Sequence, residues 1–209
     1  MTVDEIVRRV RARSERLASG LPVPQLPLGS DFSLSGVVPP PTTFRPAAVL
    51  VPLVNRQPDI TVLLTQRTED MPSHAGQISF PGGRVQEGDV DAIATALRET
   101  EEEVGLGRQF VEIIGTVDHY RTGTGYEITP VVGIVKPGFT TRADPREVAD
   151  VFEVPLAHFL DEKNHRLDSR VTPQGSRRPF YAMPYGERYI WGATAGMLKN
   201  LQFVLTAAE

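Results

Sequence analysis

The chain of 209 residues contains no cysteine. Disulfides, thiolate nucleophiles and zinc–sulfur centres are therefore excluded, and the composition fits a reducing compartment. An excess of basic residues is also lacking. Lys and Arg number 22 against 26 Asp and Glu, a formal net charge of -4 that gives no general pull toward nucleic acid or anionic membranes. No apolar run approaches the roughly 20 residues that span a bilayer. The first twenty residues are charged throughout and lack the apolar segment of a secretory signal. These absences lead to the expectation of a cytoplasmic protein with neither nucleic acid nor membrane as partner. What is present, 40% hydrophobic residues, suffices for one substantial core.

Residues 2–19 predict a helix, with Thr2 and Glu5 spaced as a capping box and Ile6, Val10 and Leu17 as a thin apolar stripe. From Gly20 to Pro46, repeated proline deprives a helix or central strand of donors, which predicts an extended arm. Strand-like segments follow at 47–54 and 60–67, then a short extended piece at 76–80. A helix is predicted from about Asp91 to Val104, ended by Gly105. Further strands are predicted at 110–120 and 128–137. A turn, a β segment and a helical turn are expected within 144–160, and aromatic strands precede a helix from about Ala193. This alternation predicts an α/β protein with a mixed sheet and helices against it, an α/β/α layering. Residues 1–45 form the helix and arm, 46–160 the core, and 161–209 complete the same domain. The arm and the aromatic C-terminal segment are candidate contacts for a homodimer.

The chemistry concentrates in "FPGGRVQEGDVDAIATALRETEEEVGL", residues 80–106. On a helix, Ile93, Leu97, Thr100 and Val104 form the packing stripe, while Glu99, Glu102 and Glu103 share another side at i, i+3 and i+4. Carboxylates so placed repel one another, and a divalent cation resolves the conflict. Hard oxygen donors suit Mg²⁺ or Mn²⁺. Arg98 lies one turn before Glu102 and is positioned to pair with it or with a loop carboxylate, orienting the acidic set. Gly82 and Gly83 permit a close backbone approach that side chains would obstruct. Glu101 projects elsewhere, toward solvent.

This stretch resembles the Nudix hydrolases, whose signature reads G-x5-E-x7-R-E-U-x-E-E-x-G-U, with U a bulky apolar residue. Residues 98–106 match its second half except for Thr100 at a U position. In the first half five residues separate Gly83 from Asp89, which stands where the signature has Glu, and the turn is one residue longer. The resemblance implies a Nudix-type α/β/α sandwich and metal-assisted hydrolysis of a nucleoside diphosphate linkage. It further implies Glu99, Glu102 and Glu103 as metal ligands, Arg98 as their structural partner, and Glu147 or a helix glutamate as general base.

"LLTQRTEDMPSHAGQISFPGG", residues 63–83, resembles the extra motif LLT-x-R-[SA]-x3-R-x3-G-x3-FPGG of the coenzyme A pyrophosphatase branch. Thr68 replaces Ser or Ala, and Pro72 occupies the second arginine position. The implied substrate is CoA or a CoA derivative, cut to 3′,5′-ADP and a 4′-phosphopantetheine species. NADH, ADP-ribose or nucleoside triphosphates as substrate, and a catalytically silent ligand-sensing or protein-binding module, are the alternatives. Arg67 is a candidate phosphate clamp and His74 a candidate substitute for the missing arginine. Tyr126 is positioned either to stack on a base or to pack on the sheet.

Overall fold

A computed structural model describes residues 1–23, 29–34, 43–71, 73–171, 175 and 177–207. The sheet is organised around β1 (Arg45–Asn55), which runs parallel to β7 (Tyr126–Val135) over ten consecutive Cα pairs. All other strand–strand pairings among the described residues are antiparallel, an isolated bridge between Ser30 and Arg121 apart. β2 (Ile60–Arg67) lies on the other side of β1 at its C-terminal end, and β8 (Val148–Pro155) follows the far edge of β2. β5 (Val111–Thr116) and β6 (Tyr120–Arg121) both pair with β7. Two short strands span the divergence between β1 and β2: β3 (Ile78–Ser79) joins β2, and β4 (Gly82–Arg84) joins the start of β1.

β1 is an almost continuous apolar run because both of its faces are covered. Ala48, Leu50 and Val54 point into a core shared with Ala96 and Val104 of α2 (Ala92–Val104). Val49, Val51 and Leu53 point the other way, toward Ile6 and Val10 of α1 (Val3–Ala18) and Met197, Leu198 and Leu201 of α4 (Ala193–Thr206). Helices therefore cover both faces of a mixed sheet, giving the α/β/α arrangement. After β8 come the short helix α3 (Leu156–Leu160) and a separate hairpin of β9 (Arg166–Val171) and β10 (Arg177–Ala182).

The predicted strand at 110–120 is broken. Gly115 adopts φ 145°, the pairing with β7 shifts register there, and a Cβ at this glycine would lie 2.8 Å from Ser14 of α1. Ser14 Oγ accepts the Thr116 N–H at 3.1 Å, so the kink is where α1 docks. The proposed arm is described only in part, since residues 24–28 and 35–42 lie outside the described residues. Residues 31–34 form a turn rather than an extended segment, and Asp31 N–H donates to the Arg121 carbonyl at 2.9 Å.

Candidate active site

Helix α2 is placed by its caps. Asp91 Oδ1 accepts the Ala94 N–H at 2.7 Å, and Gly105 closes the helix in the left-handed conformation. Thr100, the polar residue in the packing stripe, is fully buried and donates its hydroxyl to the Ala96 carbonyl at 2.6 Å. Its hydroxyl is thereby satisfied inside the core.

Arg98 meets both partners considered for it. It grips Asp89 with two bonds, 3.0 Å from Nε and 2.9 Å from Nη2, and also reaches Glu99 at 2.8 Å and Glu102 at 3.2 Å. Asp89 in addition accepts from the Gln86 N–H and the Thr95 hydroxyl. The Arg98 guanidinium and these donors hold its carboxyl well below the usual carboxylate range. Asp89 therefore meets Arg98 despite the longer turn.

The helix glutamates separate into two environments. Glu102 is 61% exposed and engaged with Arg98, whereas Glu103 is buried at 5%. Glu103 Oε2 accepts the Gly82 N–H at 3.2 Å, and Oε1 lies 4.0 Å from Arg67 Nη1. Burial pushes the Glu103 carboxyl up to about 7. The charges of Glu147 and Glu99 add to that effect, while the Gly82 N–H and Arg67 oppose it. Glu99 lies against Gly83, where a Cβ would sit 2.5 Å from the carboxyl carbon. At Gly82 a Cβ would run into the Ala48 carbonyl and Val49 backbone of β1. Glu147 sits in the loop that returns from β7, and its carbonyl accepts the Thr68 N–H at 3.0 Å. Glu101 is exposed, with Arg108 3.6 Å away.

Glu103 thus lies within the field of both Glu99 and Glu147, with Arg67 beside it. Among the described residues, no three carboxylate or imidazole groups converge tightly enough to enclose an ion. The donor chemistry nevertheless fits a hard divalent cation: an open, one-sided oxygen set leaves room for retained waters and phosphate oxygens. Glu102 stands apart from this set, held on Arg98 at its solvent edge.

Beside the acidic group opens a cavity of about 300 Å³. Arg67, Gly82 and Gly83 line it, together with Phe180, Trp191 and Met197. Arg67 Nε is buried with no hydrogen-bond partner. His74 is exposed at the rim with a left-handed φ of 58°, its Nδ1 2.9 Å from Gln77 Oε1. Tyr126 lies under two cations, with Arg45 4.1 Å and Arg84 5.3 Å from its ring centre. Pro72 lies outside the described residues.

Asp31 went unnoticed in the sequence. It accepts the Tyr120 hydroxyl at 2.9 Å and the Gly123 N–H at 2.7 Å, and lies 3.5 Å from Arg178. Its partner Tyr120 is 89 residues away, so no local pattern reveals the wall that these residues build along the cavity.

A glycine-containing strand is held against a capped acidic helix, on a mixed sheet covered on both faces. The NUDIX domain model matches residues 43–174, and the chain belongs to the Nudix family, hydrolases of diphosphate linkages whose members generally use divalent metals. It is 45% identical over 158 residues to NudL of Escherichia coli strain K12, named an uncharacterized Nudix hydrolase, covering 75% of this chain and 81% of that one. Among solved structures, a MutT/nudix family protein from Enterococcus faecalis is 16% identical with TM-score 0.48, covering 96% of this chain and 73% of that one. A C. elegans Ap4A hydrolase binary complex is 21% identical with TM-score 0.44, covering 53% and 80%. Among the described residues no helix is long and apolar enough to cross a membrane.

Proposed function

We propose that this Nudix protein cleaves CoA or a CoA derivative at its diphosphate, releasing 3′,5′-ADP and a 4′-phosphopantetheine species. The observation that carries the catalytic part is the buried Glu103, which feels the charges of Glu99 and Glu147 and lies 4.0 Å from Arg67, a residue of the cavity lining. The CoA assignment rests on the 63–83 motif. A cytoplasmic setting, in keeping with a chain without cysteine, belongs to the same proposal.

Glu99 and Glu103, with Glu102 at the solvent edge, would hold Mg²⁺ or Mn²⁺. The ion supplies charge neutralisation of the diphosphate and acidification of the attacking water. Arg67, in the cavity lining, takes a phosphate oxygen through its guanidinium. Glu147 accepts the proton of the attacking water, and Arg98 keeps the helix carboxylates in place by tying Glu99 and Glu102 to Asp89. Tyr126, His74, Gly82 and Gly83 border the substrate.

The test is incubation with CoA, NADH, ADP-ribose and nucleoside triphosphates in Mg²⁺ and then Mn²⁺, with mass spectrometry of products and Glu103→Gln as control. Release of 3′,5′-ADP and phosphopantetheine by the wild type alone is the expected result. Cleavage of another substrate with CoA untouched would retain the hydrolase and remove the CoA assignment. Absence of cleavage across the panel would remove catalysis. If the missing second arginine weakens CoA recognition, Pro72→Arg lowers KM for CoA.

A further inference from the structure

We infer that the outer edge of β9 pairs with the same edge of a second copy of this chain, as an antiparallel two-fold junction centred on Ser169. In the hairpin, Ser169 stands opposite Pro179 and Leu167 opposite Tyr181. Pro179 has no N–H to give. The Tyr181 carbonyl accepts the Gly192 N–H at 3.1 Å, away from β9. Antiparallel ladders alternate bonded and non-bonded pairs, so Asp168 and Arg170 bond to β10. Leu167, Ser169 and Val171 therefore turn their N–H and C=O groups outward. That edge has no ladder partner among the described residues.

Such an edge is a template for another strand. Among the described residues of the single chain, the Ser169 N–H is held by the Asp168 carboxylate, at 2.6 Å. Leu167 and Val171 are 64% and 66% exposed. A two-fold axis at Ser169 sets Leu167 against Val171 of the second copy and Asp168 against Arg170 of the second copy. Both pairs are favourable cross-strand neighbours, and each occurs twice. An axis one residue earlier would face Asp168 with itself and Arg166 with Arg170. The Asp168 oxygen released when Ser169 joins the new ladder becomes free for the incoming guanidinium. One strand per copy makes a small interface, so the dimer forms in a concentration-dependent way.

Sedimentation velocity of the full chain over a concentration series tests it. The wild type should shift from monomer toward dimer as concentration rises. Ser169→Pro removes the central donor, and Arg170→Asp sets acid against acid. Each should weaken association at least about tenfold, with circular dichroism unchanged. Asp168→Arg combined with Arg170→Asp restores opposite charges and should recover the dimer. Should the proline variant fail to fold, the charge pair decides alone. A dimer unmoved by these changes, or a loss that the charge swap does not rescue, overturns the proposal. So does a chain that stays monomeric throughout, which would leave the edge to a strand from another protein.

Discussion

Replacing Gly83 with alanine should abolish most of the activity while leaving the fold almost untouched. Gly83 is an ordinary strand residue opposite Ala48, so the backbone conformation suits alanine. The new methyl would sit 2.5 Å from both the carboxyl carbon and Oε2 of Glu99, about 1 Å short of ordinary van der Waals contact. Relief is cheap for stability because the obstacle is the end of a flexible side chain. It is expensive for catalysis, since a misplacement of about 1 Å at a reacting centre can cost about 100-fold in rate. The expected result is kcat reduced about 100-fold, with stability changed by less than about 1 kcal/mol. Gly82→Ala is the contrast, because its methyl meets the β1 backbone, which cannot move aside. That variant should lose about 1–3 kcal/mol or more. Urea denaturation alongside diphosphate hydrolysis separates the two. Wild-type turnover in Gly83→Ala, or equal unfolding of both variants, would refute the reasoning.

Three further outcomes are expected. Glu103 takes up a proton in the metal-free fold at about 7 against an ordinary value of 4.5, so stability is full below 4.5 and falls as pH rises through 7, by roughly 3 kcal/mol in all. Melting curves in chelator should show this decline in the wild type and not in Glu103→Gln; identical profiles would contradict it. Glu102→Gln should reduce turnover far more than Glu101→Gln, and equal mild effects would return the helix to a merely solvated face. Arg98→Lys keeps the charge but loses the paired grip on Asp89, so both melting temperature and kcat should fall, measured by calorimetry and steady-state assay.

The helix and its caps were legible because Asp91, Gly105 and the carboxylate spacing are local signals. The different fates of Glu102 and Glu103 were not, since 100° per residue sets both on one side. Burial of Glu103 depends on β4 crossing to β1, a contact that helix arithmetic cannot contain. Thr100 looked like a departure from the signature, and only its bond to Ala96 accounts for it. β9, "RLDSRV", escaped notice because its two apolar residues, Leu167 and Val171, are separated by Ser169 and stay exposed, too thin a pattern to mark a strand. Asp31 escaped because its partners are distant in the chain.

The bond between Arg98 and Asp89 makes residues 85–91 a length-tolerant joint. On one side of it β4 is fixed to β1; on the other α2 is fixed by its packing. Between them, the chain has only to return one carboxylate to the guanidinium. A residue can be gained there without displacing any glutamate of the site. Drift in the length of this segment should therefore accumulate among relatives while the acid–guanidinium pairing persists, the contact rather than the residue count being what selection can see.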